Sequence, residues 1–335
     1  MSQLRQDPVT GVTTVLEPER AGRPRDHAHP AAPLNEATDC PFCAGHEDAT
    51  PPARLELALP GEPAWTVRVF ENLYPALTAG EDQEWPGEID APWPYRGTTG
   101  FGVHEVIVES PRHDDSLAAY TPEHAALLVE AWALRIREWR EDGRFASALI
   151  FRNVGAAAGA SMSHPHSQLI ALSRVPDALL KELGNFSQDA TERGRCVLCG
   201  ALSADDAGER IVFDDGITVV HSPWAAPSPY FMRIAPRRCS ATLADASVEE
   251  RASLGAALIA AARAIRGALG DAAYNLVVHD APYSAQHAGL PFHWHVEVFP
   301  RMGDQAGFEW GSGVYTNVVD PDVAASVLRA GLALE

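Results

Sequence analysis

The sequence predicts an α/β protein of the α+β kind, made of two similar halves. Three observations carry this reading. Short alternating runs typical of half-buried strands are separated by two long segments of helical period, near residues 121–143 and 247–268. A length of 335 residues suits two domains at roughly 100–200 residues each. One order of elements also occurs twice: Cys-x-x-Cys, strands, a long helix, a strand, then a strand opening on His-x-His. Unrelated domains would not share that order, so it indicates an internal duplication, with halves 1–188 and 189–335.

Residues 1–60 are rich in Pro, Gly and charge. They predict a loop-rich arm with a short strand near Val12–Leu16, carrying Cys40-Pro-Phe-Cys43. Trp65–Phe70 alternates like a strand. Glu81–Gly100 predicts a long loop, because three Pro, three Gly and five acids interrupt it. His104–Ser110 is a strand. Thr121 can cap a helix, with Pro122 in its first turn and Glu123 at the positive end of the dipole. Leu127, Leu128, Ala131, Leu134 and Ile136 keep helical spacing until Gly143 stops it. Ala146–Arg152 and His166–Leu172 are strands joined by the small-residue loop Gly155–Ser163. In the second half, Cys196-Val-Leu-Cys199 precedes strands at Gly216–His221 and Tyr230–Ala235. A helix then runs from about Ser247 to Ala268 and ends at Gly270. Strands at Tyr274–His279 and His293–Phe299 and a closing helix Asp320–Leu332 complete the order.

There are 26 Lys+Arg against 45 Asp+Glu, a formal net charge of −19. That balance argues against gripping nucleic-acid backbones or an anionic membrane, so neither is an expected partner. The longest apolar run, residues 252–270, is interrupted by Arg263 and Arg266, which predicts no bilayer-spanning segment. The first ten residues are polar and lack a secretory core, so a cytoplasmic location is expected. Five cysteines cannot all pair, and a cytoplasmic chain would keep them reduced.

The cysteines acquire a use when set beside the histidines. In the first half a strand ends in Ser110-Pro-Arg-His113 and the next His-rich strand opens with His164-Pro-His166-Ser-Gln168. In the second half the equivalents are Pro236-Arg-Arg-Cys239 and His293-Trp-His295-Val-Glu297. Pairing by position gives two four-ligand sets: Cys40, Cys43, His113, His164, and Cys196, Cys199, Cys239, His293. Both have the closed composition of structural zinc sites, and together they use all five cysteines. A thioredoxin-like reading is disfavoured because both Cys-x-x-Cys motifs lie in loop-rich surroundings rather than between a strand and a helix.

On a strand, residues two apart share a face, so His166 is expected beside a clamped His164, with Gln168 on the same face. Upstream, the run from Asn153 to Ser161 is dominated by Gly and Ala. It suits close approach of a phosphate to the backbone, and Ser161 adds a hydroxyl. A neutral imidazole aimed at phosphate is set for nucleophilic attack on phosphorus, giving a covalent intermediate. Metal-assisted hydrolysis is less favoured, since a closed four-ligand site leaves no position for water.

These motifs resemble the galactose-1-phosphate uridylyltransferases, a branch of the histidine-triad superfamily, over about residues 15–330. The resemblance rests on Arg20-Ala-Gly-Arg23-Pro, Cys40-Pro-Phe-Cys43, Phe70-Glu-Asn72, Phe151-Arg-Asn153-x-Gly155, Gly159-Ala-Ser161 and His164-Pro-His166-Ser-Gln168. It implies two histidine-triad-like halves, each packing helices on a mostly antiparallel sheet, joined as one continuous sheet or half-barrel. It also implies ping-pong transfer of a nucleoside monophosphate from an NDP-sugar to a sugar 1-phosphate, and a homodimer. His166 would be the nucleophile, Ser161 and Gln168 its phosphate-binding partners with Gly159 in the loop. Arg20 and Arg23 would contact the nucleotide phosphates, Asn72 and Asn153 the nucleoside.

The C-terminal half resembles a divergent branch that includes ADP-glucose phosphorylase, through Cys196-Val-Leu-Cys199, Phe292-His293-Trp294 and the run Gly307 to Asn317. That branch has a second zinc site where better-known members have iron, and it implies inorganic phosphate or another acceptor as the alternative. Cys239 stands where the branch has a histidine. A minority arrangement would be an iron-type set of Glu182, His287, His293 and His295. The resemblance places the hexose-phosphate side near Phe308, Glu309, Tyr315 and Asn317. His295 and Glu297 mirror His166 and Gln168 but lack a Gly/Ala cradle upstream, so they read as a decayed copy. His104 and His221 read as structural histidines.

Overall fold

The computed structural model of the chain describes residues 2–19, 39–62, 64–80, 85–204, 207–284, 286–303 and 305–334. Among them the strands are β1 (Gln3–Gln6), β2 (Thr13–Leu16), β3 (Ala53–Leu57), β4 (Val67–Glu71), β5 (Gly102–Val108), β6 (Ser147–Val154) and β7 (His166–Leu172), followed by β8 (Ile211–Asp214), β9 (Thr218–His221), β10 (Met232–Pro236), β11 (Tyr274–His279), β12 (His295–Pro300) and β13 (Val314–Asn317). The helices are α1 (Pro122–Glu141), α2 (Asp177–Arg193), α3 (Val197–Leu202), α4 (Val248–Leu269), α5 (Gly307–Ser312) and α6 (Pro321–Leu332).

Ten strands form one sheet in the order β3-β4-β5-β7-β6-β11-β12-β10-β9-β8, and every neighbouring pair is antiparallel. Outward from the central β6–β11 pair, the order on one side mirrors that on the other. The repeat seen in the sequence is therefore a pseudo-twofold about that pair. A small second sheet, β1-β2-β13, pairs β13 parallel to β2.

One face of the large sheet carries the core. Val67, Val69, Ile107, Ala148, Ile150, Leu169 and Ala171 from the first half, and Leu276, Val278, Val296 and Val298 from the second, point into it with α1 and α4. Helix α1 starts where expected: the Thr121 hydroxyl accepts from the His124 backbone N–H. Helix α4 opens on a reciprocal Ser247–Glu250 capping box. By length and composition alone α4 is apolar enough to cross a membrane despite Arg263 and Arg266. Here it is buried among α1, α6 and the second-half strands. Small residues permit that closeness: a β-carbon on Gly255 would stand 2.8 Å from the Ala126 nitrogen, and one on Gly267 2.2 Å from the Gly331 carbonyl oxygen.

The opposite face is occupied unequally. Over the second half, Leu179, Leu183 and Phe186 of α2 pack with Val9, Ala235 and Phe292. The expected division at residues 188/189 falls inside α2. The second Cys-x-x-Cys also departs from its expected loop setting, since Cys196 caps α3 and Cys199 lies within it. Strands β1, β3, β8 and β13 and helix α5 were likewise not anticipated; all have six residues or fewer.

Candidate active site and metal centres

In the first half, Cys40, Cys43, His113 and His164 converge, with ligand atoms all within 4.8 Å of one another. The His164 Nδ1 lies 3.6 Å from both sulfurs, and the His113 Nδ1 lies 3.6 Å from Cys43 Sγ. Metal–ligand bonds of about 2.0–2.3 Å at tetrahedral angles require nitrogen–sulfur separations of about 3.6 Å, so the donor set fits zinc without rearrangement. The outer hydrogen bonds agree. His164 Nε2 donates to the Ser110 carbonyl at 2.7 Å, which leaves Nδ1 as the lone pair facing the sulfurs. His113 Nε2 pairs with the Ser163 hydroxyl at 2.8 Å. Burial, opposed by the hydrogen bond to Ser110, lowers the His164 pKa to about 4, so it is neutral as a ligand must be.

His164 lies two residues before β7 begins, and His166 is that strand's first residue. The His166 Nδ1–H donates to the carbonyl of His164 at 2.8 Å, so its lone pair is on Nε2. Burial also lowers the pKa of His166, which favours its neutral form. Phe42, between the two cysteines, lies edge-on to His164 and His166 at 6.0 and 5.4 Å between ring centroids. Phe70, Val106 and Val108 extend that apolar wall. A cavity of about 200 Å³ reaches this site, lined by Arg152, Asn153, Gly155, Ser163, His166 and Tyr274 among others. Arg152 is not a free cation there, because Glu109 and the Tyr274 hydroxyl hold it at 2.8 Å each.

Gln168 shares the His166 face, and its amide orientation is determined by a residue the sequence reading set aside. The Ala76 backbone N–H donates to His104 Nδ1 at 3.1 Å, so His104 carries its proton on Nε2. That proton is donated to Gln168 Oε1 at 2.8 Å, which commits the carbonyl end and leaves the NH₂ as the free donor end. Asn72, expected at the nucleoside, accepts from the Tyr74 N–H at 2.8 Å and turns its NH₂ towards the same Gln168 oxygen at 3.5 Å. His104 therefore has a functional setting that its strand position alone did not signal. Gly155 and Gly159 take positive φ, 80° and 84°, on either side of a short 3-10 turn in the expected phosphate loop, and Ser161 is exposed beyond it. Arg20 and Arg23 lie outside the described residues.

The second half repeats the frame and fills it differently. Cys196, Cys199, Cys239 and His293 form a four-ligand group, with His293 Nδ1 at 3.5 Å from the Cys196 and Cys199 sulfurs. Its Nε2 donates to the Pro236 carbonyl at 2.9 Å. A hydrogen bond with Cys239 draws the Cys196 pKa down to about 4 and pushes the Cys239 thiol up; the thiols share protons that a bound cation would displace. His295 donates Nδ1–H to the His293 carbonyl at 3.0 Å, as His166 does to that of His164. Its Nε2 side, however, is closed. His279 stacks on it at 4.8 Å, Glu182 of α2 bonds His279 at 3.0 Å, and Arg233 binds Glu297 and Asp7.

That cluster corrects the iron-type set. Glu182, His279 and His295 form the compact group, while His293 faces the sulfurs and His287 bonds Ser284 instead. Burial opposes charge on His279, yet Glu182 and Glu297 raise its pKa to about 9. A folded-state pKa above the unfolded 6.5 means the imidazolium contributes fully below about pH 6.5 and less as pH rises through about 9. The unfolding free energy of His279→Gln should therefore fall furthest below the parent's near pH 6, by about 3 kcal/mol at most, and approach it by about pH 10. A deficit constant across that range would refute the assignment.

Of the four residues expected on the hexose-phosphate side, Phe308 is 54% exposed, and Glu309 accepts from the Ala306 N–H at the start of α5. Tyr315 lies on β13 beside Thr14 of β2. Asn317 is buried and donates to the carbonyls of Ala226 and Ser228, so its amide is committed to the fold.

The model of the galactose-1-phosphate uridyl transferase N-terminal domain matches residues 1–176. The chain belongs to the galactose-1-phosphate uridylyltransferase family. Across 98% of its length it is 34% identical to an ADP-glucose phosphorylase of Arabidopsis thaliana, covering 92% of that protein. It is 28% identical to a galactose-1-phosphate uridylyltransferase of Thermotoga maritima, over 98% of each chain. The structure of the Arabidopsis ADP-glucose phosphorylase with bound ADP-glucose superposes with a TM-score of 0.85 at 32% identity, covering 98% of this chain and 99% of that one. A uridylyltransferase structure gives 0.77 at 26% identity, covering 100% and 99%. Membership makes the protein an enzyme of the nucleotidyltransferase kind and agrees with its α/β fold.

Proposed function

We propose that the enzyme takes a nucleoside monophosphate from an NDP-sugar onto His166 and passes it to a sugar 1-phosphate in a ping-pong cycle. The observation that carries this is the single orientation of His166: Nδ1–H bound to the His164 carbonyl, Nε2 carrying the lone pair. In the first step Nε2 attacks the α-phosphorus, a P–N bond forms, and the P–O bond to the sugar phosphate breaks. The sugar 1-phosphate leaves with the electron pair. The imidazole is then cationic, and the Nδ1–H to the carbonyl stabilises that charge. In the second step a phosphate oxygen of the acceptor attacks the same phosphorus and His166 is regenerated neutral. The amide of Gln168, the Gly159 loop and the Ser161 hydroxyl bind the phosphate oxygens, with Arg20 and Arg23 adding positive charge in a chain of net charge −19. Zinc in the two four-ligand groups would hold the strand openings in place, a structural role outside the transfer itself.

Inorganic phosphate as acceptor, with ADP-glucose as donor, is favoured by the greater identity and overlap with the ADP-glucose phosphorylase than with the uridylyltransferases. The mirrored His295 site is catalytically silent, its Nε2 side being closed by His279 and the paired charges behind it. A homodimer is expected, and the exposed Phe308 and Trp310 of α5 offer an apolar edge for it. Use of all five cysteines as ligands supports a cytoplasmic setting. Incubation with UDP-glucose and ADP-glucose, each labelled in the α-phosphate, should leave acid-labile label on the protein with one of them. Galactose 1-phosphate or inorganic phosphate should then release it, and the releasing acceptor decides between the readings. No label from either donor would sink the proposal.

A further inference from the structure

Asn275 belongs to the second half, on β11, directly opposite Asn153 in the central strand pair. Its Nδ2 makes two hydrogen bonds of 2.8 Å, one to the backbone carbonyl of Ala158 and one to Asn153 Oδ1. The first determines how the second must be read. A backbone carbonyl can only accept, so the atom of Asn275 facing Ala158 is its NH₂ nitrogen. The same nitrogen faces Asn153, so the Asn153 atom there must be its carbonyl oxygen. The Asn153 NH₂ is therefore turned the other way, towards the phosphate loop: its Nδ2 lies 4.0 Å from where a β-carbon on Gly159 would stand.

We infer that Asn275 is a positioning residue for phosphate transfer, holding the Asn153 amide with its donor end towards the substrate phosphate and tying down the loop at Ala158. This rests on the nucleotidyl-transfer reading and extends it, because it makes the first-half site dependent on a side chain of the second half. The function follows from the polarity of an amide. With its nitrogen towards the loop, Asn153 offers a donor to an anionic oxygen; turned over, it offers a carbonyl oxygen that repels one. An unrestrained amide would sample both, and the preorganised donor would be lost. The twofold mirror makes the device one-sided: the position that mirrors Asn153 is His279, which points at Glu182.

The test compares Asn275→Ala with the near-isosteric Asn275→Asp by the rate at which labelled NDP-sugar charges His166. Loss of the two donors in Asn275→Ala should slow charging roughly ten- to a hundredfold. Asn275→Asp should be slower still, since its carboxylate attracts the Asn153 NH₂ and turns the carbonyl towards the phosphate. Zinc content and melting temperature serve as controls on folding. In an Asn153→Ala background, both substitutions should lose most of their effect, and the difference between Ala and Asp should vanish. Fully additive effects, or Asn275→Asp charging faster than Asn275→Ala, would overturn the inference. Failure of the parent enzyme to charge at all would instead count against the nucleotidyl-transfer reading.

Discussion

His166→Ala should abolish both half-reactions, lowering transfer on the order of 10⁴-fold or more while leaving the fold intact. The effect is large because no other described group can replace the nucleophile. The nearest imidazole, His164, has Nδ1 against the sulfurs and Nε2 on the Ser110 carbonyl. The other histidine with the same backbone hydrogen bond, His295, is closed in by His279 and the Glu182 pair. The substitution leaves the β7 backbone pairing with β5 and β6 untouched, so melting temperature and zinc content should stay near the parent's. The measurement is protein-bound label from the active NDP-sugar donor, with turnover in parallel. Undiminished label in His166→Ala would move the nucleophile elsewhere and end this mechanism.

Metal analysis should find about two zinc per chain, and Cys40→Ser should cost one of them together with the activity. Binding free energies of about 10–16 kcal/mol for structural zinc rival the whole stability of a typical domain, so losing one site has a large effect. The functional coupling is geometric. His164 offers its imidazole to the four-residue group and its carbonyl to the His166 ring, so releasing that imidazole would free the acceptor that orients the proposed nucleophile. Cys239→Ser should lower zinc towards one per chain and melting temperature with it, while retaining charging of His166, because that group stands at the other end of the pseudo-twofold. A parent chain with one zinc would overturn the second site. Equal loss of charging in Cys40→Ser and Cys239→Ser would overturn the separation of roles.

Much of the first-half site was legible because its residues sit in short, dense motifs. Cys-x-x-Cys, the histidine after Ser110-Pro111 and His-x-His at a strand opening state their chemistry through residue type and spacing, and the structure assembles both four-ligand groups from them. Helices α1 and α4 were legible from caps and period. What was missed has a common cause. Strands β1, β3 and β8 are four- or five-residue edges that pair with the next strand, and β13 pairs only with β2 at the other end of the chain; none is long enough for local pattern to signal it. Helix α2 shows apolar spacing at Leu179, Leu183 and Phe186, but its polar remainder between two repeats read as a boundary. His279 was overlooked as a partner of Glu182 because 97 residues separate them. His104 and Asn275 act on other side chains rather than on substrate, and no motif records such a role.

The sequence by itself determined which atoms could do chemistry: sulfur and imidazole enough for two closed metal groups, one histidine beside a small-residue loop, and a repeat that placed an equivalent of each in the other half. Only the tertiary structure decided the different surroundings of the two equivalent histidines. On one side of the pseudo-twofold His166 lines a cavity that α4 also lines through Ala262, Ile265 and Arg266, and no hydrogen bond among the described residues engages its Nε2. On the other, α2 and the N-terminal segment cover the face opposite α1 and α4, and Glu182 and Asp7 reach in from them to pair with His279 and Arg233. Motifs specify ligands through local spacing. Whether a ring faces a cavity or a buried ion pair depends on what distant segments pack over it, and that is settled by the burial of the chain as a whole.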